Sequence, residues 1–267
     1  HTVPLNDAWL RDVGPTFVFD NKELVAVDWR FNGWGQNTEF TWELDDNIAR
    51  HIADLSGARV ERTDLVNEGG GIHVDGQGCV LLTETVQLDP YRNPSYNRKN
   101  ITDLLNTLLG THQAIWLPKG LYRDYFLNGT RGHVDIVACF NPNQQILLHR
   151  QEDPDHPDYG LWDILYRTLN DNGFEIISLP APTTLRDNRD WVDYSYINHY
   201  VCNGAVICPS FSDPNDERAR EILSESYPDR DIICIECREI FAMGGGIHCI
   251  TQQQPSGGEL GSPTLAV

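Results

Sequence analysis

The order of segments along this chain constrains its fold most. Short apolar runs with strand periodicity come in pairs, each pair is followed by one helix-period segment, and a further strand closes the unit. The unit recurs roughly every fifty residues with little identity between copies. Strands are read at 16–19, 24–28, 71–74, 79–83, 114–117, 134–140, 145–148, 175–179, 195–201, 204–209 and 232–235, and helices at 45–56, 97–109, 160–172 and 216–226. The last helix has a clear start, with Asp213-Pro-Asn-Asp216 offering a cap and an acidic first turn, and Tyr227-Pro closing it. A doubly wound sheet would alternate one strand with one helix, so the paired strands argue for an α/β fold of stacked modules. No low-complexity linker interrupts them, and we expect one domain over residues 1–255 followed by a loose tail at 256–267.

Composition excludes several classes of function. The 267 residues are 40% hydrophobic and 22% charged, as in ordinary globular proteins. Twenty Lys and Arg against 39 Asp and Glu leave a net charge of −19, which repels phosphate backbones and anionic membrane surfaces. Nucleic acid and membrane are therefore not expected partners, whereas a small cation is drawn in. The sequence has no apolar stretch of spanning length and no export signal at its start. Five of its seven cysteines (Cys79, Cys139, Cys202, Cys208 and Cys234) fall in apolar or aromatic runs, which suits reduced, strand-buried thiols and a cytoplasmic setting. Cys234 and Cys237 form a C-x-x-C on an apparent strand, which reads as two strand residues rather than a redox or zinc pair.

Chemistry concentrates in four stretches that combine glycines with ionisable groups: Asn6 to Pro15, Asn67 to Asp75, Thr130 to Asp135 and Met243 to Pro255. Consecutive glycines within strand-like sequence weaken it unless the backbone must turn sharply or approach something closely. Gly-Gly-Gly-Ile-His occurs twice, at 69–73 and 244–248. Cys249 follows the second copy, where a buried hydrophobe and a nucleophile are both open readings. His133 and Asp135, two apart on an expected strand, would share one face and set a base beside a carboxylate. Glu68 and Asp12 each flank a glycine turn, where capping is the default role for a carboxylate. His73, Asp75, His133, Asp135 and His248 could ligate a metal, but none has metal-site helix spacing or a partnering cysteine pair, so neither metal nor organic cofactor is expected. A Cys-His acyl transferase is disfavoured by the extra carboxylates. Three carboxylates around a thiol suit a delocalised cation such as a guanidinium.

These stretches carry a resemblance covering nearly the whole chain. Together with Trp29 to Gly35, Tyr91 to Pro94, Ile115 to Pro118, Ser195 to Asn198 and Asp213 to Asp216, they resemble the agmatine deiminase and bacterial peptidylarginine deiminase family of the guanidino-modifying superfamily. The resemblance implies a pentein-type five-fold α/β propeller of strand-strand-helix-strand modules, with part of the first module missing. It implies Cys249 as nucleophile, His133 as general acid/base and Glu68 as the carboxylate that orients and charges the histidine. It also implies that Asp12 and Asp135 grip the guanidinium and that Trp9 walls the pocket. Where the family carries an acidic residue four positions before the histidine this chain has Gly129, and Arg131 is offered to a carboxylate on an arginine-like substrate.

Three functions follow as expectations. The first is hydrolysis of agmatine to N-carbamoylputrescine and ammonia through a thiouronium on Cys249, by a cytoplasmic enzyme of polyamine biosynthesis. The second keeps that intermediate but acts on arginine, peptidyl arginine or another guanidine, or transfers the amidino group. The third is a guanidinium-binding module without turnover. A homo-oligomer is compatible with each.

Overall fold

The structure, a computed structural model, describes residues 1–36, 41–126, 129–188 and 190–256. Among the described residues there are four sheets of three strands, each built the same way. The first joins β1 (Thr16–Asp20) and β2 (Glu23–Arg30) as an antiparallel hairpin, crosses through helix α1 (Ile48–Ser56), and adds β3 (Arg59–Val66) parallel to β2. The second uses β4 (Ile72–Val74), β5 (Cys79–Thr83), α2 (Arg98–Leu109) and β6 (Gln113–Leu117). The third uses β7 (Ala138–Phe140), β8 (Ile146–Arg150), α3 (Leu161–Asp171) and β9 (Ile176–Pro180). The fourth uses β10 (Tyr200–Cys202), β11 (Ala205–Ser210), α4 (Asp216–Ser226) and β12 (Asp231–Glu236). The strand-strand-helix-strand unit read from the sequence is thus the module of the fold, and the first copy is as complete as the others.

Each crossover helix lays one apolar stripe against its module. The buried positions are Ile48, Ala49 and Ala53 on α1, Ile101 and Leu105 on α2, Leu161, Leu165 and Leu169 on α3, and Ala219 and Leu223 on α4. Their four-residue spacing keeps them on one side of each helix. Helices α1 and α2 end on Gly57 and Gly110 at φ 68° and 69°, a left-handed cap that a side chain would strain. The apolar core is continuous from β5 and β6 through the third and fourth modules, with Phe140, Tyr196 and Phe211 among its largest buried side chains.

Several sequence expectations are corrected. The segments 134–140 and 195–201 are not continuous strands, since Val134–Ile136 forms a 3-10 turn and only 138–140 and 200–202 pair. At the second, the Ser195 hydroxyl accepts the Ile197 N–H, a local bond that competes with a ladder. The helix expected from residue 45 is a 3-10 turn over Asp45–Asn47 before α1 begins. Strand β3 is missed by the sequence reading because its first four residues are exposed and three of them are charged, its arginines pairing with Asp20, Glu23, Glu61, Asp28 and Asp46 rather than packing inward. Cys234 is exposed on β12, and Cys202 half-buried, not buried as expected. Residues 257–267 of the expected tail lie outside the described residues. Among the described residues no helix is long and apolar enough to cross a membrane.

Candidate active site

The four glycine-bearing stretches meet at one place. A short helical turn, Leu10–Val13, brings Asp12 to the glycine turn after β3, where Asp12 Oδ1 accepts the Gly70 N–H at 3.0 Å and Oδ2 accepts the Trp34 indole N–H at 2.8 Å. Glu68 opens that turn and is fully buried. A Cβ on Gly70 would lie 2.6 Å from His133 Nδ1, 2.9 Å from Asp12 Oδ1 and 3.1 Å from Asp135 Oδ2. Only glycine lets the backbone pass between these three groups. The second glycine run does the same on the other side, since a Cβ on Gly245 would lie 2.6 Å from the Trp9 ring and 3.1 Å from Cys249 Sγ. Trp9 itself is buried beside this loop.

His133 is held by the loop before it. The Asp124 carboxylate accepts the N–H groups of Thr130, Gly132 and His133 at 2.6, 2.7 and 3.0 Å, while Arg131 and Gly132 take φ of 71° and 109°. The expectation that His133 and Asp135 share a strand face fails here, because His133 precedes the 3-10 turn that carries Asp135. The turn still places His133 Nδ1 4.0 Å from Asp135 Oδ1 and 3.8 Å from Asp12 Oδ1. His133 Nε2 lies 3.2 Å from Glu68 Oε2. Cys249 Sγ stands 3.6 Å from Asp135 Oδ2, so Asp135 touches both the expected base and the expected nucleophile.

Arg92, Asn198 and Arg11, which the sequence reading did not single out, complete the cluster together with Arg131. Arg92, buried, binds Glu68 through Nε at 3.0 and 3.1 Å and Asp89 through Nη1 at 2.9 Å. Asp89 is in turn held by Arg131 Nη1 at 3.0 Å, and the Arg131 guanidinium lies 4.7 Å from the Tyr91 ring centre. Arg131 therefore ends a chain of alternating charges, Glu68, Arg92, Asp89, Arg131, behind the histidine. Asn198, from the turn before β10, places its amide Nδ2 3.3 Å from Cys249 Sγ and 3.2 Å from Asp135 Oδ2. Arg11 is buried against the Cys249 loop, its backbone N–H donating to Cys249 O at 3.0 Å and its Nε to His248 O at 3.3 Å. The signal for these groups was the number of carboxylates itself, since buried anions need buried cations or donors.

The charges perturb one another strongly. Burial pushes the Glu68 carboxyl up, but Arg92 and His133 outweigh it and hold it at about 2. Burial pushes the His133 imidazole down, yet Asp12, Glu68 and Asp135 raise it to about 9, so the ring is protonated at neutral pH. Burial lifts Asp12 to about 6 and also raises Asp135. Cys249 is driven well above the usual thiol value by burial and then by Asp135 and Asp12. A neutral thiol, an imidazolium and two carboxylates thus line the site, an arrangement that a planar cation between Asp12 and Asp135 would relieve. Among the described residues no cluster of three or more His, Cys, Asp and Glu is arranged to hold a metal ion.

Comparison with known proteins agrees with this geometry. The model of the Porphyromonas-type peptidyl-arginine deiminase family matches residues 1–255. A Streptomyces coelicolor protein provisionally named agmatine deiminase is 53% identical over 259 residues, covering 94% of this chain and 76% of the relative. The agmatine deiminase of Pseudomonas aeruginosa is 39% identical over 280 residues, covering 94% of this chain and 75% of its own. The solved structure of the agmatine deiminase of Enterococcus faecalis superposes with a TM-score of 0.88 at 34% identity, over 95% of this chain and 76% of that one. A family match across the modules and the site, joined to relatives this similar, means that the chain belongs to the Porphyromonas-type peptidyl-arginine deiminase family.

Proposed function

We propose that the protein is a hydrolase of carbon–nitrogen bonds in linear amidines, converting agmatine and water to N-carbamoylputrescine and ammonia. The observation that carries this reading is Asp135, which stands within 4.0 Å of both His133 and Cys249 while its buried Oδ1, the oxygen nearer His133, accepts no hydrogen bond. The guanidinium lies between Asp12 and Asp135, whose carboxylates keep it charged and its carbon electrophilic. Its positive charge offsets the anionic field that suppresses the thiolate, so substrate binding helps ionise Cys249, whose proton is released to solvent because His133 is already protonated. The thiolate attacks the guanidinium carbon, and His133, protonated by its carboxylate neighbours, gives its proton to the departing nitrogen, which leaves as ammonia. A thiouronium remains on Sγ. Neutral His133 then takes a proton from water, the hydroxide adds to the same carbon, and the carbon–sulfur bond breaks to release the urea product. No metal or organic cofactor enters these steps.

Relatives named agmatine deiminase support agmatine as substrate, and the −19 charge favours a small cation. Arginine as substrate would need a cation for its carboxylate, and Arg131 is already paired with Asp89. Positioning of Arg92 is therefore the role that fits Arg131. We further infer that the modules are blades of the pentein-type five-fold ring that the resemblance implies, since each is one strand-strand-helix-strand unit of the same build. The reaction is tested by ammonia release and product mass on agmatine, arginine and an arginine peptide, with the parent and Cys249→Ala side by side. Product from agmatine by the parent alone is expected. Product from another guanidine only would move the substrate, and product from Cys249→Ala would overturn the mechanism.

A further inference from the structure

The site uses the glycines of both Gly-Gly-Gly-Ile-His copies but so far neither histidine. The two rings line one small pocket together with Arg11, Asp135, Cys139 and His199. They are not equivalent. His73 accepts the Phe140 N–H on Nδ1 at 3.3 Å and so serves the backbone of β7. His248, next in sequence to the nucleophile, sets its Nδ1 2.8 Å from Asp135 Oδ2 and is itself fixed by its N–H to Asn198 Oδ1 at 3.1 Å.

The two oxygens of Asp135 are therefore treated differently. Oδ2 receives His248 and the Asn198 amide and lies 3.6 Å from Cys249 Sγ. Oδ1 is buried, faces His133 Nδ1 at 4.0 Å and accepts no hydrogen bond. A buried carboxylate oxygen left unsatisfied is destabilising unless a ligand completes it. We propose that His248 is a positioning residue, which holds Asp135 by Oδ2 so that Oδ1 meets the guanidinium, and which draws carboxylate charge away from the Cys249 sulfur. This rests on the deiminase reading above.

The tautomer follows from the contact. A neutral ring can donate to a carboxylate through Nδ1 only if the proton sits there. Burial, with Arg11, His199 and His133 facing the ring and His73 beside it, keeps His248 neutral. It thus supplies a hydrogen bond without adding a cation to the site.

The test compares His248→Ala with His248→Asn, whose amide nitrogen branches from Cγ as Nδ1 does. Two quantities are read on each folded variant: kcat and KM for agmatine, and the pH midpoint of iodoacetamide alkylation on the Cys249 peptide. Loss of one hydrogen bond to a charged group predicts about a 30-fold fall in kcat/KM for His248→Ala. The alkylation midpoint should rise by about one pH unit, because the charge on Oδ2 is no longer shared. His248→Asn should restore both to within about threefold and about 0.3 unit of the parent. His248→Ala matching the parent in both readouts overturns the proposal. So does an equal loss in both variants with an unmoved alkylation midpoint, which is the signature of lost packing alone. If the parent does not turn agmatine over, the alkylation arm still decides the role of His248, while the substrate reading fails separately.

Discussion

The Arg92 Nε lies 3.0 and 3.1 Å from the two oxygens of Glu68, both side chains buried, and Glu68 Oε2 lies 3.2 Å from His133 Nε2. This sequence of contacts keeps Glu68 ionised in a place where burial alone would protonate it, and the ionised Glu68 helps keep His133 charged. A buried arginine therefore sets the protonation state of His133, the proposed general acid, one residue removed from it.

Glu68→Gln removes a negative neighbour from a histidine held at about 9, so the His133 pKa falls and the alkaline limb of kcat/KM against pH moves to lower pH. We expect kcat at neutral pH to drop at least about tenfold. The stability consequence has a definite sign. A raised histidine pKa contributes stability that is fully present below the unfolded value and is lost as pH rises through about 9. Thermal melts of the parent should lose stability across that alkaline window, and those of Glu68→Gln should lose less. An unshifted limb and an unchanged melting profile would remove Glu68 from this role.

Asp12→Asn and Asp135→Asn should separate reactivity from turnover. Both carboxylates raise the Cys249 thiol, so each variant lowers the thiol pKa in the free enzyme and speeds its alkylation by uncharged iodoacetamide near pH 8. The same variants lose a guanidinium contact, and kcat/KM should fall by about 10²-fold or more. Faster alkylation with slower turnover is the expected pair of results, measured by peptide mass mapping and steady-state kinetics. Slower alkylation would contradict the charge assignment.

Gly70→Ala tests the close approach. The added Cβ would sit 2.6 Å from His133 Nδ1, so the ring or the turn must shift. Displacing a catalytic group by a fraction of an ångström to one ångström predicts about a 10²-fold loss in kcat, with about 1–3 kcal/mol lost from folding stability. Kinetics and a chemical denaturation curve on the same sample check both figures.

Arg131→Ala distinguishes positioning from substrate contact. Its guanidinium pairs with Asp89, which holds Arg92, so we expect kcat to fall several-fold with KM for agmatine unchanged. A changed KM with intact kcat would return Arg131 to the substrate's tail.

Much of the module was legible because its signals are local. Paired apolar runs and four-residue stripes such as Leu161, Leu165 and Leu169 report burial directly. β3 was not legible, because Arg59 and Arg62 meet their carboxylate partners only after β1, β2 and the Asp45–Asn47 turn come together. At the site, the glycine runs marked where the backbone is crowded, and Gly70 and Gly245 lie against His133 and Cys249. The roles of Cys249, His133, Glu68, Asp12 and Asp135 came from family resemblance, and the structure adds their proximity. Arg92, Asp89 and Asn198 were not singled out as functional groups, and His248 entered only as a possible metal ligand, because their contacts are with side chains distant in sequence and no local pattern encodes such contacts.

The most direct measurement is intact and peptide mass spectrometry on acid-quenched enzyme during turnover of agmatine. The account predicts an adduct on the Cys249 peptide with the mass of the substrate less ammonia, absent from Cys249→Ala. Ammonia release without any adduct on Cys249, matched by undiminished release from Cys249→Ala, would contradict it.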